Sequence, residues 1–276
     1  MLPQRPVLAH RARVNAALLE LAVSTGREAA DFIRHRRPAG RVDVAATKSS
    51  ATDVVTEIDR ATEELIRERI LGSRPHDGFV GEEGQDVAGS SGVDWVVDPI
   101  DGTVNFVYGI AAYAVSIAAR RDGRVVAGYV VNVASGEQWA AEVGQGAWWL
   151  DGDERRPVVA PDPPTLDRAL VATGFSYDPR TRARQGAAVA SLLPQVRDIR
   201  RAGAAALDLC AVADGRVDAY VEQGLHAWDL AAGGLVASEA GLTVTGLDGP
   251  ADQRLVVAAH PELIGEFLAA VRACGF

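Results

Sequence analysis

The chain has 276 residues, 48% of them apolar, and a formal net charge of −9. That is apolar material enough for one large domain or two closely packed halves, and the acidic balance speaks against non-specific attraction to nucleic acid or an anionic membrane. Two cysteines, Cys210 and Cys274, are too few for a disulfide framework, and no Cys/His cluster has zinc spacing, so a reducing compartment fits.

Within the first 40 positions Arg5, Arg11, Arg13, Glu20, Arg27, Glu28, Asp31 and Arg34 break up every apolar run. No signal peptide or membrane span is expected there, and the expected location is cytoplasmic. From Arg11 to Arg37, Val14, Leu18, Leu21, Thr25, Ala29, Phe32 and Ile33 recur at helical spacing, and Pro38-Ala39-Gly40 ends the helix. A polar stretch, Thr47 to Asp53, leads to a second helix through Ile58, Ala61, Leu65, Ile66 and Ile70. The two are expected to pair on one face of a sheet.

Val93 to Val97 reads as a strand that stops at Asp98-Pro99, because proline disfavours a central strand. Ala112–Ala119, Val125–Val133 and Gln138–Val143 then form an antiparallel meander with Asp122-Gly123 as a hairpin turn. The segment Asp151 to Pro164, rich in proline and charge, is the expected boundary between halves spanning residues 1–150 and 151–276. After it, strands at Ala169–Ala172, Val217–Val221 and Leu255–Ala258 alternate with helices at Gly203–Ala213, Trp228–Ala240 and Leu263–Ala273. A layered α+β or α/β architecture follows.

Four segments carry chemistry. In Asp98-Pro99-Ile100-Asp101-Gly102-Thr103-Val104-Asn105-Phe106, two carboxylates flank a turn directly after a buried strand. Gly81-Glu82-Glu83-Gly84 sets two acids in a glycine-flanked loop, Asp59 heads the second helix, and Trp228-Asp229 opens a later one. Oxygen donors of this kind suit magnesium, and Asp98, Asp101 and the Ile100 carbonyl are suitable ligands. Taken singly, each segment also has an ordinary explanation in turn or capping chemistry; their combination points to a metal site.

The combination resembles the inositol monophosphatase family of metal-dependent, lithium-sensitive phosphatases. The matching text is Lys48 to Asp59, Gly81 to Glu83, Asp98 to Phe106, Gly203 to Asp208 and Trp228 to Gly233, in that order along nearly the whole chain. Gly174-Phe175-Ser176-Tyr177 and Asp198 to Gly203 are similar to its bacterial inositol-1-monophosphatase branch, with departures at Ala111 and Leu242. The resemblance implies the α+β sugar phosphatase fold, layered α-β-α-β-α, with the site between the halves. It implies two to three Mg²⁺ ions, the first on Glu82, Asp98 and the Ile100 carbonyl, the second on Asp98, Asp101 and Asp229, and a weaker third near Glu82. Asp59 and Thr103 would activate the attacking water, with Glu82 taking part. Gly102 and Thr103 would meet the phosphate, Gly203, Ala205 and Glu222 the polyol ring, and Lys48 would approach the metals. The implied reaction is hydrolysis of inositol monophosphate by a cytoplasmic homodimer whose other partner is the small phosphorylated polyol, without nucleic acid or membrane. Histidinol phosphate, fructose 1,6-bisphosphate or another small phosphomonoester remain alternative substrates, and a transcription-associated binding role remains an alternative of a different class.

Overall fold

The computed structural model describes residues 5–38, 40–48 and 54–276, the side chains of 5–12 and 54 excepted. Positions 49–53 of the polar stretch, Asp53 among them, lie outside the described residues. Helix α1 (Arg5–Arg36) and helix α2 (Glu57–Ser73) flank a short ribbon of β1 (Ala46–Thr47) and β2 (Val54–Val55). Leu18, Ala22, Ala29 and Ile33 of α1, with Ile66 and Ile70 of α2, are fully buried at helical spacing. They pack as the expected pair against one face of a seven-stranded sheet.

That sheet runs in chain order from β3 (Gly78–Gly81) through β4 (Val93–Asp101), β5 (Ala114–Arg121), β6 (Arg124–Asn132), β7 (Gln138–Glu142) and β8 (Gly146–Asp151) to β9 (Glu154–Val158). Side chains alternate across it: Trp95 and Val97 face α1 and α2, while Val96 faces the opposite core. One reading of the sequence needs correction. Strand β4 does not stop before Pro99 but continues to Asp101. Its partner β3 ends opposite Val97, and the pairing with β5 shifts by one residue between Asp98 and Asp101, so the missing proline N–H falls at a bulge. The Asp151–Pro164 segment, expected as the boundary between halves, contains β9, an edge strand paired to β8.

Between β4 and β5 lies α3 (Thr103–Tyr108). The rest of the chain gives β10 (Leu170–Thr173), α4 (Pro179–Leu192), β11 (Asp198–Arg200), α5 (Ala205–Ala213), β12 (Ala219–Glu222), α6 (Ala227–Glu239), β13 (Thr243–Thr245), β14 (Val256–Ala259) and α7 (Ile264–Cys274). A five-stranded sheet has the order β11-β10-β12-β14-β13. Helices α5 and α6 lie between the sheets, with Ala206, Leu209, Ala232 and Val236 in one core with Val96, Ala118, Val130, Tyr220 and Ala258. Leu192 of α4 and Phe267 of α7 cover the outer face over Val171, Val221 and Val257. The result is five layers, α-β-α-β-α. Among the described residues no helix is long and apolar enough to cross a membrane.

Candidate active site

Local backbone chemistry aims each acid. Thr56 caps α2: its N–H donates to Asp59 Oδ2 at 2.9 Å, its hydroxyl meets the same oxygen, and the Asp59 N–H returns to Thr56 Oγ1 at 3.3 Å. This reciprocal cap holds Asp59, fully buried, with Oδ1 free to accept from Thr103 Oγ1 at 3.1 Å. The Thr103 hydroxyl also lies 3.0 Å from the Ile100 carbonyl. Asp98 turns back on the bulge to accept from the Ile100 N–H at 3.0 Å. Gly102 follows in the left-handed region at φ 90°, and a Cβ there would stand 2.9 Å from the Ala112 carbonyl oxygen, so the turn requires glycine.

The C-terminal half closes the site. The first N–H groups of α5, from Ala205 and Ala206, donate to Asp101 at 3.2 and 2.7 Å. Ala205, expected at the polyol ring, thus has its N–H engaged with a carboxylate. Asp229, in the first turn of α6, accepts from the His226 N–H at 2.7 Å. Asn105 fastens the halves together, its Nδ2 donating to the carbonyls of Ala112 at 2.7 Å and Ala202 at 2.8 Å.

Ligand oxygens of Asp98, Asp101 and Asp229 lie within 4.8 Å of one another. Burial first, and the neighbouring acids second, push the Asp98 and Asp229 carboxyls well above the ordinary range; burial pushes Asp101 up to about 7 and Asp59 up to about 6. Among the described residues no cation forms an ion pair with these three. Lys48 is engaged instead with Glu82, at 2.7 Å, and with Glu83; burial lowers its basicity, but the two acids outweigh that and hold it above the ordinary lysine value. A set of oxygen donors, two buried and one half-buried, that no cation compensates fits a hard divalent cation. Glu82 presses on Asp98 electrostatically from the β3 loop but stands outside the closest group of three.

Asp101, Asp229 and Glu82 open onto a cleft of about 420 Å³ that Lys48, Gly102, Gly203, Ala205 and Glu222 also line. Asp59, Asp98, Ile100 and Thr103 are buried and do not line it. Glu222, at the end of β12, accepts from the Tyr220 hydroxyl at 2.7 Å, and burial raises it to about 6. Sequence reasoning assigned no role to Asn105, Tyr220 or Glu63; Glu63 follows Asp59 at i+4, which puts the two on one face of α2 without showing what lies over it. His226 stacks flat on Trp228, ring centroids 4.7 Å apart, at the cleft wall.

The model of the inositol monophosphatase family matches residues 15–275. Inositol-1-monophosphatase SuhB of Mycobacterium tuberculosis is 47% identical over 273 residues, covering 93% of this chain and 94% of that protein. Nus factor SuhB of Pasteurella multocida is 38% identical over 262 residues, covering 93% and 96%. The solved structure of Mycobacterium tuberculosis SuhB superposes with a TM-score of 0.80 at 45% identity, covering 94% of this chain and 97% of that one. With a buried acid cluster set between two sheets and a match along nearly its whole length, the chain belongs to the inositol monophosphatase family and is a phosphomonoesterase.

Proposed function

We propose that the chain hydrolyses inositol monophosphate to inositol and phosphate with Mg²⁺. The observation that carries this reading is the joining of the Asp98, Asp101 and Asp229 cluster to the Asp59–Thr103 pair through Ile100, whose N–H goes to Asp98 and whose carbonyl meets the Thr103 hydroxyl, beside a cleft that Asp101 and Asp229 line. Glu82, Asp98 and the Ile100 carbonyl would hold one ion, Asp98, Asp101 and Asp229 a second, and Glu82 would border a weaker third. Bound there, the ions would acidify the attacking water and stabilise the leaving alkoxide. Asp59, raised by burial to about 6, takes the proton of that water, and the Thr103 hydroxyl keeps it in line. Backbone N–H groups of Gly102 and Thr103 position the phosphate, and Lys48 offsets the acids around Glu82. Gly203, Ala205 and Glu222 face the polyol, with the Ala205 contribution limited to its side chain, since its N–H goes to Asp101 and its carbonyl lies inside α5. Residues 1–150 supply most metal ligands and residues 151–276 complete the site, as one catalytic unit. The same reading makes the enzyme cytoplasmic, homodimeric and lithium-sensitive, with neither nucleic acid nor membrane as a partner.

The test is phosphate release from inositol 1-phosphate, histidinol phosphate and fructose 1,6-bisphosphate, with and without Mg²⁺, for the wild type and Asp98→Asn. Mg²⁺-dependent turnover that is greatest on inositol 1-phosphate and lost in the variant is expected. Turnover greatest on another ester keeps the mechanism and changes the substrate. The relative named as a Nus factor supports a second reading, association with transcription machinery. Capture of a partner by Asp101→Asn, alongside a wild type without turnover on any ester, would favour it.

A further inference from the structure

Behind the Gly81-Glu82-Glu83-Gly84 loop lies a charge pair with no direct part in the reaction. Glu63 sits on α2 one turn beyond Asp59 and is 2% exposed. Its Oε2 accepts from the Glu83 N–H at 2.8 Å, and the Gly84 N–H also serves this carboxylate. Its Oε1 takes Arg67 Nη2 at 2.8 Å. Arg67 lies over the Phe79 ring, 5.0 Å from the centroid, and reaches Glu64 at 2.7 Å.

The loop is glycine on both sides because this pair fills the space beneath it. A Cβ on Gly81 would run into the Glu63 carboxylate, and one on Gly84 into Glu63 and the Arg67 guanidinium. Neither glycine has a left-handed φ, so the requirement is one of space. A carboxylate that binds successive backbone N–H groups fixes the direction of the chain, as carboxylates do at helix caps. The Glu82 side chain is thereby turned the other way, toward Lys48 at 2.7 Å and the acid cluster. We propose that Glu63, backed by Arg67, is a positioning residue that presents the Glu82 carboxylate to the metal centre. The inference rests on the reading of Glu82 as a metal ligand.

Calorimetric titration of the metal-free protein with Mg²⁺ tests it, on the wild type, Glu63→Ala, Glu63→Gln, Glu82→Gln and the double variant Glu63→Ala/Glu82→Gln. Loss of an outer support is expected to weaken Mg²⁺ binding about 10–100-fold in Glu63→Ala. Glu63→Gln, which keeps an acceptor for one N–H, should lose less. If Glu63 acts through Glu82, the double variant binds no more weakly than Glu82→Gln alone. Unchanged affinity in Glu63→Ala, with or without a lower metal-free melting point, or additive losses in the double variant, would overturn the proposal. Should Glu63→Ala fail to fold, Glu63→Gln carries the test: Mg²⁺ binding that is weakened in it, and no weaker in Glu63→Gln/Glu82→Gln than in Glu82→Gln, supports the proposal, and wild-type affinity overturns it. A wild type that takes up no Mg²⁺ removes the metalloenzyme reading and this inference with it, whereas a binding wild type with an unaffected Glu63→Ala removes this inference alone.

Discussion

Burial drives the Asp59 carboxyl up to about 6 against two hydrogen bonds from Thr56 that favour its charged form. Removing its ability to take a proton while keeping its shape, in Asp59→Asn, is expected to lower kcat about 10²–10⁴-fold. Circular dichroism should be unchanged, and a kcat within a factor of two of wild type would exclude Asp59 as the base. Asp77 shows the opposite balance. Burial opposes its charge, but Arg74, Ser91 Oγ at 2.6 Å and Trp95 Nε1 at 2.9 Å hold its carboxyl below the ordinary range. A depressed folded value contributes stability above the unfolded value of about 3.9 and loses it as pH falls through the folded value. Asp77→Asn should therefore melt below wild type at pH 7, and the gap should narrow as pH falls below the unfolded value of about 3.9. A gap of constant size across that range would show that charge is not what Asp77 contributes.

At the scale of elements, Asn105 is one of the fastenings between halves, since the carbonyls of Ala112 and Ala202 share its amide. Asn105→Ala leaves both without that donor and is expected to cost about 1–3 kcal/mol in urea denaturation. Turnover should fall as well, because Ala202 directly precedes the Gly203–Ala205 wall of the cleft; unaltered stability and turnover would rule the fastening out. Elements with an apolar stripe at helical spacing, α1 and α2, or with a nearly continuous apolar run, β5, β6 and α6, were legible beforehand. Helix α4 was not, because its buried side chains are only Gln185, Ala188 and Leu192, too thin a stripe to stand out. Strand β9 was hidden by Arg155, Arg156 and Pro157, residues that an edge strand tolerates and a central one does not. Pro99 misled for a related reason: its local preference is to end a strand, and the bulge against β5 accommodates it instead.

Across the whole molecule, the folded state gathers Asp59, Asp98, Asp101, Glu222 and Asp229, each with its carboxyl raised by burial. Between about pH 4 and these raised values the folded, metal-free protein binds more protons than the unfolded chain, so its stability falls as pH rises. Metal competes with those protons. The melting point of the metal-free protein is expected to drop from pH 5 to pH 8, and the rise produced by Mg²⁺ should be larger at pH 8 than at pH 5.5. Equal Mg²⁺-induced shifts at the two pH values would disconnect the acid cluster from metal binding. The amino-acid sequence by itself determined the family, the alternation of helix and strand behind the five layers, and which acids were candidates, because residue type, spacing and periodicity are properties of short stretches of chain. Only the tertiary structure decided that the α5 N–H groups go to Asp101, that Asn105 joins the halves, and that Glu63 lies under the Glu82 loop. Those outcomes depend on which distant segments exclude water from a group and which donors they leave beside it, and no local pattern records that.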